Sequence, residues 1–168
     1  DYVYDRTSVP EPAADHFTTT NVGAAMTFEW YKNSVAAANR LGSAPMDAGT
    51  YILRVKAAMT DSYEAAMLDL NVTIAQKEIT VTVTAQNKIY DGTADASVKA
   101  SVAGVVSGDD VSITGLTGNF ADKNVGNGKK VNLAGGKLTG AAAANYIVEM
   151  QSETTADIKA RPVTVTAD

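Results

Sequence analysis

Apolar and polar residues alternate along most of this chain, with the period of two that marks strands with one buried face. The clearest case is Leu68, Leu70, Val72 and Ile74 against Asp69, Asn71 and Thr73. Met26, Phe28 and Trp30 alternate with Thr27, Glu29 and Tyr31, and Tyr51, Leu53 and Val55 alternate with Ile52, Arg54 and Lys56. Further on, Ile79, Val81 and Val83 alternate with threonines, and shorter strands are predicted around Val98–Val102, Val111–Ile113, Val131–Leu133, Tyr146–Met150 and Ala156–Ile158. Glycines 104, 108, 115, 118, 126, 128, 135, 136 and 140 read as the turns between them. Residues 9–25 hold two prolines and few apolar positions, which predicts a loop with one weak strand. Ala36-Ala37-Ala38 suggests a single helical turn. The pattern predicts an all-β fold of two small antiparallel sandwiches, with β-grasp-like repeats as the alternative.

The pattern also repeats. Tyr4-Asp5-Arg6-Thr7 returns as Tyr90-Asp91-Gly92-Thr93, 86 residues on, and the stretch Ile74–Thr82 returns as Ile158–Thr166, 84 residues on. Asp47-Ala48-Gly49 is answered by Asn124-Val125-Gly126, and Ser62-Tyr63 by Asn145-Tyr146. Ordered landmarks at nearly constant spacing indicate a tandem repeat with loops of differing length. The domains expected are 1–77 and 78–160, with 161–168 as the first strand of a truncated third unit. The chain thus reads as an excised part of a longer array. The junction Ala75-Gln76-Lys77-Glu78 has no Gly or Ser, so a restricted hinge is expected rather than a flexible linker.

Composition narrows the function. The formal charge is −5, and Lys129-Lys130 is the only adjacent basic pair, which argues against nucleic acid as a partner. There are no cysteines, so disulfides, thiolate zinc sites and cysteine nucleophiles are excluded. No run of eighteen apolar residues spans a membrane, and no signal-peptide pattern is visible. His16 is the single histidine and sits in a polar stretch, where a solvated loop residue is the expectation. Asp109-Asp110 and Asp91-Gly92 read as turns, and a calcium site would need more spaced oxygens than either offers. Asn71-Val72-Thr73 matches a glycosylation acceptor but lies inside a strand. An isopeptide bond would draw on Lys56, Lys88 or Lys99 with Glu29 or Glu64 as its acid. Tyr31 is the one aromatic of its strand expected to face outward, where it would serve as a stacking platform for a sugar. No catalytic, cofactor-binding or metal-binding residues are assigned, and no cofactor is expected.

Two short motifs point to a family. Phe28-Glu29-Trp30-Tyr31-Lys32 followed by Asp47-Ala48-Gly49-Thr50-Tyr51 resembles an immunoglobulin-type domain, with Trp30 in the core and Tyr51 in a corner whose hydroxyl bonds back to the backbone. Leu53 stands where that fold places a cysteine. Lys88-Ile89-Tyr90-Asp91-Gly92-Thr93 resembles the opening of bacterial surface repeats called YDG domains, and the first unit resembles the related MBG repeats. The resemblance implies an extracellular, non-catalytic spacer in a cell-surface or adhesin-like protein, monomeric, with neighbouring repeats as its partners. A module that binds host glycan or protein through exposed loops is the second expectation.

Overall fold

The computed structural model describes residues 1–13, 16–19 and 23–166. It divides into two compact units: residues 1–77 with Ala144–Tyr146, and residues 78–143 with 147–168. The described residues are nearly all strand, turn or irregular backbone, with single 3-10 turns at Ala37–Asn39 and Ala143–Asn145. The all-β expectation holds.

In the first unit, β1 (Tyr2–Val3), β2 (Met26–Lys32), β3 (Gly49–Ala57) and β4 (Ala66–Ala75) form one sheet in the order β1-β4-β3-β2. The ladders β2–β3 and β3–β4 are antiparallel, and β1 joins β4 in parallel, with Tyr2 opposite Ile74. Register puts Trp30, Leu53 and Leu70 in one row, with Phe28, Val55 and Leu68 beside it. This is the apolar face predicted by alternation. Among the described residues the unit has one sheet, where a sandwich of two was expected. Residues 9–13 and 16–19 take the place of the second layer: Val9 is buried, and the Phe17 ring lies 5.8 Å from that of Phe28. No strand forms over 9–13, because Pro10 and Pro12 cannot donate to a ladder.

Two-residue strands β5 (Lys77–Glu78) and β12 (Tyr146–Ile147) lie where the chain passes between units. The strand expected over Tyr146–Met150 is therefore cut to two residues.

The second unit contains β6 (Thr80–Ala85), β7 (Lys88–Ile89), β8 (Asp95–Ala96), β9 (Val98–Ala103), β10 (Ser112–Phe120), β11 (Gly126–Thr139) and β13 (Glu153–Lys159). Its main sheet runs β7-β13-β11-β10-β8, and β6 pairs with β9 as a second, two-stranded layer. β6 lies against β13 and β9 against β10. Phe120, Val131, Ala156 and Ile158 are buried between the layers, with Ala85 and Val98 packed on them. β10 and β11 are much longer than their apolar residues suggested. Gly104, Gly108 and Gly140 do sit in bends or turns, but Gly115, Gly118, Gly126, Gly128, Gly135 and Gly136 lie inside this ladder. Gly115, Gly135 and Gly136 all have positive φ, and a Cβ on Gly135 would stand 2.3 Å from the Gly115 carbonyl oxygen. They mark close backbone approach within paired strands, not the ends of strands.

The two sheets share one order: β7, β13, β11 and β10 repeat β1, β4, β3 and β2. The repeat reaches the atoms. Tyr4 N donates to Ala75 O at 2.9 Å and Tyr90 N to Lys159 O at 2.8 Å. One position breaks the equivalence of sequence: Arg6 takes φ 68° where the second unit has Gly92 at φ 85°. A side chain in the left-handed region is disfavoured. Arg6→Gly is expected to stabilise the first unit by up to about 1 kcal/mol, read as a raised urea midpoint.

Candidate functional site

The turn after the first strand is the most heavily bonded feature common to both units. Asp91 Oδ1 accepts the Thr93 backbone N–H at 2.9 Å and the Thr93 hydroxyl at 3.0 Å. Lys88 Nζ donates to the same oxygen at 2.9 Å and also to the Thr93 carbonyl, each bond tying the turn to β7. In the first unit Asp5 Oδ1 accepts the Thr7 N–H at 2.8 Å and the Thr7 hydroxyl at 2.6 Å. Both are Asx turns, which Asp favours because its carboxylate reaches the backbone two residues on.

These bonds favour the ionised carboxylate. The Thr93 N–H and the Lys88 ammonium hold Asp91 down at about 2, from an ordinary 3.8. The Thr7 bonds lower Asp5 in the same direction. A depressed folded-state value contributes stability that is complete above pH 3.8 and is lost as pH falls toward 2. Asp91→Asn keeps the turn-forming oxygen but not the charge. Its melting temperature is expected to fall less steeply than wild type between pH 4 and pH 2, while staying lower at pH 7. Parallel acid curves for the two proteins would remove Asp91 from the account.

The second conspicuous turn leads into β3. Tyr51 Oη donates to the Asp47 carbonyl at 2.8 Å, the backbone-directed corner that the immunoglobulin resemblance implied. Asn145, buried within this unit, braces the same turn from both sides: its Oδ1 accepts the Ala48 N–H at 2.8 Å and its Nδ2 donates to Asp47 Oδ1 at 3.0 Å. Sequence reading matched Asn145 only as a landmark of the repeat; nothing in its neighbours announces a bond to residue 47. Tyr51→Phe is expected to cost about 1 kcal/mol, one buried hydrogen bond, measured by urea unfolding.

Trp30, Tyr51 and Leu53 are all buried, as expected. Tyr31 is not the outward platform that alternation suggested. It is only 6% exposed. The Arg54 guanidinium lies 5.6 Å over its ring, its hydroxyl donates to Glu29 Oε2 at 2.8 Å, and Arg40 pairs with it as a β-bridge. Long charged side chains cover an aromatic well, and alternation alone does not register such a cover.

Of the residues named for an isopeptide bond, Lys56, Lys88 and Glu29 go to ion pairs. Lys56 Nζ meets Glu29 Oε2 at 2.6 Å, and Arg40 meets Glu29 Oε1 at 3.1 Å. The Lys56 and Tyr31 hydrogen bonds hold Glu29 below its ordinary value, so it stays ionised. Lys88 is engaged by Asp91. His16 is exposed. Asp109 closes a turn, its N–H donating to the Val106 carbonyl at 3.1 Å, and the Asp110 carbonyl accepts the Ala142 N–H at 3.2 Å. Among the described residues no group of three or more His, Cys, Asp or Glu is placed to hold a metal ion. No described helix is long and apolar enough to cross a membrane.

The Asx turn with its Lys88 clamp, set between a parallel edge strand and a two-layer β core, is the local signature of the second unit. Residues 75–156 match the model of the YDG domain family. The YDG domain thus begins at the end of β4 and runs into β13. Its eponymous Tyr90-Asp91-Gly92 is the turn described above, with Gly92 supplying the positive φ. No curated protein and no solved structure matches the chain.

Proposed function

We propose that this chain is a non-catalytic spacer from a bacterial cell-surface or adhesin-like protein, with an MBG-type repeat preceding its YDG domain. In this reading it is extracellular and holds a distal binding region away from the cell. The observation that carries the proposal is the parallel pairing of the first strand of each sheet with the last, β1 with β4 and β7 with β13. A force applied along these strands loads their ladder hydrogen bonds in shear, so several must yield together. A hairpin pulled from its open end yields one bond at a time. Such an arrangement suits a link that carries tension. Single-molecule pulling of the chain between handles tests it. Two separate unfolding events, each at a force well above that of a hairpin peeled open, are expected. Smooth extension without peaks would exclude a tension-bearing role.

The reading as a glycan- or protein-binding module is favoured by one feature. Leu41, Pro45, Met46 and Tyr51 line a cleft of about 300 Å³ beside the exposed loop after β2. A glycan array probed with the chain tests it. Binding that Met46→Lys abolishes would favour the module, and a blank array would leave the spacer standing.

A further inference from the structure

One edge of the second unit's main sheet is only partly covered. β11 pairs with one side of β10 from Ser112 to Phe120. On the other side β8 pairs with Gly118 and Asn119 alone, and Phe120 N donates to Ala94 O at 2.7 Å. After Ala96 the chain leaves this edge. Gln86 N donates to Ser97 O at 2.9 Å, and from Val98 the chain pairs with β6 in the second layer as β9. From Ser112 to Thr117, β10 therefore has no strand on that side among the described residues. An unpaired strand edge presents a row of N–H and C=O groups to any extended chain that reaches it.

The same departure opens a groove. The layers are closest where Val98 faces Gly118, a Cβ on which would stand 2.5 Å from Val98 Cγ1. Beyond that point β9 and β10 border a groove of about 480 Å³, lined by Ala100 and Val102 on one wall and by Val111, Ile113 and Leu116 on the other. Gly115 brings two apolar side chains to the second wall. At φ 70° it breaks the alternation of β10, so that Ile113 and Leu116, three residues apart, are both half-buried while Ser112, Thr114 and Thr117 are exposed. An open ladder edge beside an apolar groove is the combination by which a sheet takes up an extended peptide: the ladder gives affinity and the alternate side chains give selectivity. One charge stands at the groove's end. Asp110 adjoins Val111, is exposed, and forms no ion pair among the described residues.

We propose that this edge of the YDG domain is a receptor for an extended peptide segment of a partner protein. The segment continues the line of β8, antiparallel to β10, along residues 112–117. Every second side chain enters the groove, where β-branched groups such as valine fit between Ala100, Val102, Ile113 and Leu116, and the polar residues between them face solvent. Because the segment runs in the direction of β8, its C-terminal end reaches Asp110, and a lysine or arginine there meets the free carboxylate. An extended peptide meets all three features together: backbone groups at ladder spacing, alternate apolar side chains and a basic end. This binding role is additional to the spacer reading and does not rest on it.

The probe is a synthetic peptide that alternates threonine and valine and ends in lysine, titrated into the whole isotope-labelled chain. It is expected to bind with a Kd between about 10 μM and 1 mM, to shift the backbone amides of residues 98–102 and 111–117, and to slow hydrogen exchange along β10. A version with a central proline, which cannot donate to a ladder, is expected not to bind. Ala100→Leu fills the groove and is expected to weaken the peptide by about tenfold or more, its urea midpoint showing that it folds. Asp110→Lys, at an exposed site, is expected to reverse the preference from a lysine-ended to a glutamate-ended peptide; if Ala100→Leu unfolds the unit, this reversal decides alone. The proposal is overturned by amides of 111–117 that ignore the peptide, by shifts confined to another surface, or by a proline version that binds as well. It is equally overturned by full binding to folded Ala100→Leu. An end-charge preference that Asp110→Lys leaves unchanged overturns the basic end and the direction assigned to the segment. None of these outcomes bears on the spacer reading, which the pulling experiment decides separately.

Discussion

Trp30→Ala is expected to lower the stability of the first unit by roughly 3–5 kcal/mol, comparable to the whole stability of a small domain. Trp30 sits at the centre of the apolar row with Leu53 and Leu70, and is 3% exposed. Among the described residues the unit has a single sheet covered by irregular chain, so no second sheet there stands ready to collapse into the space left behind. Chemical unfolding followed by circular dichroism measures the loss. Trp30→Phe, which keeps a ring on the same face, should retain much of the stability, as Phe120 does at the equivalent place in the second unit. An unchanged urea midpoint for the alanine variant would falsify the placement of Trp30 in the core.

Gly118→Ala is expected to cost about 1–3 kcal/mol, an overpacking penalty with no backbone-angle component. A Cβ at Gly118 would stand 2.5 Å from Val98 Cγ1 and 3.2 Å from Val131 Cγ1. Val131 is fully buried, so the new methyl must displace Val98 and, with it, β9. The second substitution Val98→Ala removes the atom in the way. It is expected to recover part of the loss, so that the double variant is more stable than the sum of the singles predicts. Strictly additive effects would mean that β9 does not rest on Gly118.

Position 118 shows why part of the second unit was illegible in sequence. A glycine between Thr117 and Asn119 looks like a turn, because glycine is the usual turn residue and carries no apolar signal. In the fold it is an inward position of β10, left bare so that β9 can approach. The same misreading extends to Gly126, Gly128, Gly135 and Gly136, all of them within β11. Phe120, the counterpart of Trp30 in the second unit, carries no such sequence mark either. The two rings are matched by register, Trp30 opposite Leu53 and Phe120 opposite Val131, and not by any shared neighbouring motif. Asn145 and Tyr31 failed to be read for a related reason. One bonds to a residue 97 positions away, and the other is covered by Arg54, whose reach depends on the register of β2 and β3.

What the sequence determined by itself is local or periodic. Alternation every two residues set the faces of β2, β3, β4, β6 and β13, because successive side chains of a strand must point to opposite sides. Asp before Gly or Arg, with Thr two residues on, set the Asx turns, because the carboxylate reaches only as far as residue i+2. Repetition set the existence of two related units. What only the tertiary structure decided is pairing: that the first strand of each main sheet lies parallel to its last, that glycines serve inside a ladder, and that among the described residues a second layer of strands forms over one sheet and not the other. Strand order depends on closing loops of tens of residues. The physical terms that choose among closures are the burial of Val131, Ile158 and Trp30 and the clearance at Gly118, and these exist only once the sheets are assembled.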